Sequence, residues 1–152
     1  MLAELALTGV LLVAPATGEQ LAESSTAAQD MKGYEPSLYR GIFWHAKWET
    51  LRKCIMRRES HFNYRARSKV SSASGAYQFL DNHWRRGLVY MMIKESKKTG
   101  DTLQNEAREL FHKPINTWSR YWQDRAFYTA LQHGEGMNHW LPTVKGSNSC
   151  GM

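Results

Sequence analysis

The sequence predicts a mainly helical domain with at most a small hairpin. Three observations point there. After residue 36, apolar side chains recur at spacings of three, four or six, near multiples of the helical period. Proline, which interrupts helices, occurs four times in 152 residues. The one long internal stretch without that spacing, RARSKVSSASGA at 65–76, is loop by composition. Apolar residues at 42% and charged ones at 22% are globular proportions, and the length suffices for one ordinary domain.

Residues 1–35 form an apolar segment followed by a linker. LALTGVLLVAPATG has the length of a signal peptide, and APA is a small-residue site of the Ala-x-Ala kind. The leading residues hold Glu4 and no Lys or Arg, which departs from a positive n-region, so an apolar helix or tail of the mature protein is an equal reading. The run is too short and interrupted to span a membrane. Residues 16–34 are small and polar, as linkers are.

The domain is expected over 36–152. Leu38, Ile42, Trp48, Leu51 and Ile55 predict a helix to about Ser60, interrupted near Gly41. Tyr77–Leu80 reads as a short extended segment. Asp81 is placed as an N-cap, with Trp84, Leu88 and Met91/Met92 on the helix it opens and KKTGD closing it. Leu103, Ala107 and Leu110 mark the next helix, stopped before Pro114. Ile115, Trp118, Trp122, Phe127 and Leu131 predict a long helix ending at Gly134.

Charge is uneven. The first 30 residues carry four acids and no Lys or Arg, while the other 122 carry 20 basic and 10 acidic side chains, a net of about +10. An anionic partner is expected, either nucleic acid or a bacterial wall. Cys54 and Cys150 would be free thiols in a reducing compartment and able to pair in an oxidising one.

Glu59 lies four residues after Ile55 and eight after Leu51, so it continues the apolar stripe of its helix. A carboxyl turned toward the interior, near a helix C-terminus, should hold its proton more tightly than usual. Such a group suits general-acid work. The competing reading is a solvated or arginine-paired surface glutamate.

The surrounding residues favour the acid. RRESHFNYRA, then SSASGAYQF, then LDNHW, resembles the lysozyme-like transglycosylase superfamily, with its soluble lytic transglycosylases, resuscitation-promoting factors and phage lysin-type domains. Glu59, Ser60 and Asn63 match one part of the pattern; Gly75, Ala76 and Gln78 match another. QDRAFYTALQHGEGMNHW at 123–140 is similar to the final helix, glycine turn and Trp. GAYQF departs from the Gly-Leu-Met-Gln form common in that superfamily.

The resemblance implies an α+β lysozyme-like fold with a glycan cleft. It implies Glu59 as general acid and base on the β-1,4 bond between MurNAc and GlcNAc, without cofactor or metal. Ser60, Asn63, Gly75, Tyr77, Gln78 and Trp140 are the implied substrate-binding residues. Gly75 would admit the glycan close to the backbone, and Tyr77 would pack on a sugar face. Cys54 and Cys150 would form a disulfide. The implied partner is the peptidoglycan glycan strand, met by a monomer outside the cell, in the envelope, or carried by a phage. The rival functions are basic nucleic-acid binding, from nine Lys or Arg between Arg52 and Arg86, and inactive wall binding. The six histidines lack metal-hydrolase spacing.

Overall fold

The computed structural model describes residues 36–134, 138–140 and 150. The expected apolar segment and linker, and most of the C-terminal tail, lie outside the described residues. The fold is mainly helical. Helix α1 is Trp48–Ser60; strands β1, Ala73–Ser74, and β2, Phe79–Leu80, form one small antiparallel hairpin; α2 is Asp81–Thr99 and α3 is Gln104–Glu109. Two 3₁₀ turns, Leu110–His112 and Ile115–Thr117, lead to α4, Arg120–Gln132.

Helix α1 is ordered by a buried stripe of Leu51, Arg52, Ile55 and Met56. Glu49 in its first turn and Arg57 and Arg58 in its last complement the helix dipole. The helix begins at Trp48 and not near Pro36, where side-chain acceptors take backbone N–H groups of the preceding segment. Leu38 N–H donates to Asp124 Oδ2 (3.1 Å) and Phe43 N–H to the Tyr39 hydroxyl (3.1 Å). The Tyr39 ring also sits 2.5 Å from where a Gly41 side chain would begin, so the chain folds over its own tyrosine.

Two other expectations change in detail. Asp81 is the first residue of α2 and not its cap; Leu80 holds that position, without a side-chain capping bond. The hairpin runs straight into the helix, so Asp81 N–H bonds to Ser72 O (3.0 Å) while its carboxylate lies 3.4 Å from Arg85. The long helix expected from Ile115 is broken at Trp118 and Ser119, whose backbones are extended. The Gln123 side chain takes the Trp118 carbonyl oxygen (3.0 Å). Helix α2 ends at Thr99, within KKTGD as expected, and Gly100 caps it in the left-handed region (φ 71°).

Helix α4 is the axis of the core. Every residue from Arg120 to Ala130 is buried. That includes Gln123, Asp124 and Arg125, whose polar atoms must find partners inside. Asp124 Oδ1 accepts the hydroxyls of Tyr64 and Tyr77, each at 2.5 Å, and lies 3.5 Å from Arg52 Nη1. Burial, then the Asp124 charge, pushes both tyrosines well above the usual phenol pKa. Arg125 Nε bonds to buried Glu95 (3.0 Å), and its Nη2 bonds to Asp101 (3.1 Å). Glu49 takes Arg52 Nη2 (3.2 Å) and the Tyr128 hydroxyl.

A disulfide joins Cys54, in α1, to Cys150, across 96 residues of sequence. It ties the C-terminal end to the helix that carries Glu59. No helix among the described residues is long and apolar enough to cross a membrane.

Two outcomes are expected. Cys54→Ser should lower unfolding free energy in urea by up to about 4 kcal/mol, the loop-entropy scale for so long a loop. Asp124→Ala should lower it by about 3–5 kcal/mol, because the buried Tyr64 and Tyr77 hydroxyls would lose their acceptor and buried Arg52 would keep only Glu49 of its two carboxylates.

Candidate active site

The candidate site is assembled from the end of α1, the Gly75–Gln78 turn and residues 138–140. Glu59 is half-buried in the last turn of α1. The chain then reverses abruptly. His61 (φ 53°) and Phe62 (φ 65°) both adopt the left-handed conformation, and their N–H groups bond back to Arg57 O (3.2 Å) and Met56 O (3.1 Å). Phe62 buries its ring. Gln78 (φ 50°) is the third non-glycine residue with positive φ among the described residues. All three lie in the two segments that build the site, and such strain is held only where surrounding contacts enforce it.

Ser60 supplies one of those contacts. Its Oγ donates to Ala76 O (2.8 Å) and accepts Asn63 N–H (3.1 Å). One hydroxyl therefore clamps the end of the catalytic-candidate helix to the turn. Asn63 Oδ1 accepts Arg65 N–H (2.8 Å), the local bond of an Asx turn. Ser60 and Asn63 thus shape the chain behind Glu59.

The turn itself is built from within. Gly75 N–H bonds to Ala66 O (2.8 Å), and Gln78 N–H closes the turn on Gly75 O (3.2 Å). The Gln78 side-chain Nε2 donates to the same oxygen (2.8 Å). Gln123 Oε1 accepts Ala76 N–H (2.9 Å), and its Nε2 donates to Tyr64 O and Trp118 O (both 3.0 Å).

Three expected substrate contacts are corrected. Tyr77 is 1% exposed, its ring stacked on Phe127 and its hydroxyl on Asp124, so it packs in the core and not on a sugar. Trp140 is also 1% exposed, and its Nε1 donates to Tyr77 O (2.9 Å); it backs the turn. Gly75 admits Gln123 and not a glycan: a β-carbon there would meet Gln123 Oε1 at 2.5 Å, and its φ is +79°. The positions the resemblance singled out thus sit together, but several face inward.

One side chain at the site was not expected there: His139, considered only among the six histidines; Trp84, expected on the helix that Asp81 opens, packs beside it. His139 Nε2 lies 3.1 Å from the Gln78 carbonyl oxygen. Since that oxygen can only accept, Nε2 carries the proton and Nδ1 is the acceptor of the neutral ring. Burial holds His139 below the usual histidine pKa, with the Gln78 carbonyl and the Glu59 charge pulling upward against it and His83 adding to the decrease. Its ring stacks on Phe79 (5.3 Å) and meets the half-buried Trp84 edge-on (5.7 Å). His139 adjoins Trp140 in the 123–140 segment, and that adjacency is the signal that could have found it.

Five other acids among the described residues are engaged. Glu49, Glu95, Asp101 and Asp124 pair with buried arginines, and Asp81 pairs with Arg85. Among the described residues, no three His, Cys, Asp or Glu side chains converge as a metal site would require. No family model, curated protein or solved structure matches the chain.

Gly75→Ala separates a packing role from a substrate-contact role. It should destabilise the fold by about 2 kcal/mol or more, through left-handed strain and the clash with Gln123. Thermal unfolding of the purified variant measures this without any substrate.

Proposed function

We propose that this protein is a peptidoglycan-cleaving glycosidase, a lytic transglycosylase or muramidase with a lysozyme-like domain, and that Glu59 is its general acid. The observation that carries the reading is the clamp between Ser60 and Ala76. It joins, in space, the two sequence segments that resemble the superfamily, the Glu-Ser end of a helix and the Gly-Ala-Tyr-Gln-Phe turn. The half-buried carboxyl stands near the neutral His139, on a framework braced from the core.

In this reading Glu59 protonates the oxygen between MurNAc and GlcNAc as that bond breaks. The carboxylate then takes a proton from the attacking nucleophile. If the nucleophile is the C6 hydroxyl of the same MurNAc, the product is a 1,6-anhydro sugar. If it is water, the product has a reducing end. Hydrolases of this kind ordinarily use a second carboxylate. Among the described residues, the pairing of five other acids with arginines favours the intramolecular route, which needs only Glu59. The disulfide fits an oxidising setting outside the cytosol, where this substrate lies.

Glu59→Gln should lower wall lysis by about 10²–10⁴-fold, the usual contribution of a general acid, with folding and wall binding kept. Mass analysis of the released muropeptides should show anhydro ends for the wild type. Reducing ends would make it a muramidase instead, and undiminished lysis by Glu59→Gln would overturn the assignment.

A further inference from the structure

On the exposed side of α2 lies a surface that the catalytic reading does not use. Arg86, Tyr90, Lys94 and Lys97 are exposed and follow one another at spacings of four, four and three, so they form one stripe along the helix. The 3₁₀ turn after α3 lays Phe111 against Tyr90, ring centres 5.0 Å apart and edge to face. Two grooves meet at this ring pair. One, of about 330 Å³, is bordered by Arg85 and Arg86. The other, of about 570 Å³, is bordered by Lys94, Lys97 and Arg108. Together the grooves are lined by five Lys or Arg and one acid, Glu109.

Crowding like charges on one stripe is unfavourable for the helix. An extended anion that crosses both grooves removes that repulsion and releases its own counterions. Tyr90 is 54% exposed and is the one aromatic among the large exposed hydrophobics of the described residues. It offers an apolar face to a polyol or sugar unit between charges. Single-stranded nucleic-acid binders instead present several rings for successive bases. The disulfide also fits a compartment where wall polymers are the abundant polyanions.

We propose that the α2 stripe, with Arg108 and the Tyr90–Phe111 pair, is a docking surface for a phosphodiester-linked wall polymer, separate from the Glu59 site. The inference rests on the wall-cleaving reading for its setting. The surface would hold the enzyme on the wall while the glycan is cut elsewhere on the domain.

The test uses the full chain carrying Glu59→Gln, so that binding is measured without cleavage. Its sedimentation with sacculi is compared before and after hydrofluoric acid strips the phosphodiester polymers. Native sacculi should bind at least about tenfold tighter than stripped ones, with affinity falling steeply with salt. Arg86→Glu with Lys94→Glu and Arg108→Glu should abolish that difference and lower the salt slope by about 2, at roughly 0.7 per lost phosphate contact on a flexible chain. Tyr90→Ala should weaken native-wall binding several-fold and leave the salt slope unchanged. The same surface variants in the Glu59 background should cleave stripped walls normally, which also shows that they fold. Equal binding to native and stripped sacculi, or full native binding by the triple variant, overturns the proposal. So does tighter binding to single-stranded DNA than to the polymer at equal phosphate. Failure of Glu59 to matter for cleavage would sink the catalytic reading and leave these binding results standing.

Discussion

A single buried carboxylate organises the described chain. Asp124, in the middle of α4, has no solvent exposure and receives bonds from four directions. Two tyrosine hydroxyls come from the loop after α1 and from the Gly75–Gln78 turn, a guanidinium from α1, and a backbone N–H from Leu38. A charge in that position is tolerated only because its oxygens are fully engaged. The geometry that engages them also fixes where three separate segments lie relative to α4. Removing any one donor leaves the others unbalanced in a medium that screens charge poorly.

The candidate site inherits its shape from that constraint. Tyr77 is pinned by Asp124, Ala76 by Gln123, and Ser60 by Ala76, so the end of α1 is held at third hand from the core. This chain of bonds explains how His61, Phe62 and Gln78 persist in a strained conformation. It also explains why conspicuous residues of GAYQF turn inward. Their work is to hold the turn, and the turn in turn holds the helix end that carries Glu59.

Charge is divided by depth. Arg52, Arg120 and Arg125 are nearly inaccessible and face acids within the core, whereas the exposed Lys and Arg of α2 and α3 line the two grooves around Tyr90. Net charge therefore overstates how many cations meet the solvent, and understates how concentrated the accessible ones are. The buried arginines set the fold, and the exposed ones set the long-range field.

The sequence by itself determined the helical class, with room for at most a small hairpin, and the stop of α2 near Gly100, while the resemblance grouped Glu59 with the Gly75–Gln78 turn. The helical class and the helix stop follow from periodicity and turn chemistry, which are local. The sequence did not determine which way Tyr77, Trp140 and Gly75 face, because an aromatic or a glycine in a turn reads alike on either side. Nor did it show that α1 starts only at Trp48, that Asp81 sits inside its helix, or that the final helix breaks at Ser119. In each case a backbone group met a partner outside the regular helical pattern: the distant Asp124 for Leu38, Ser72 across the hairpin for Asp81, the Gln123 side-chain amide for Trp118. The Cys54–Cys150 bond was likewise decided only in three dimensions, because pairing needs proximity and sequence spacing does not supply it.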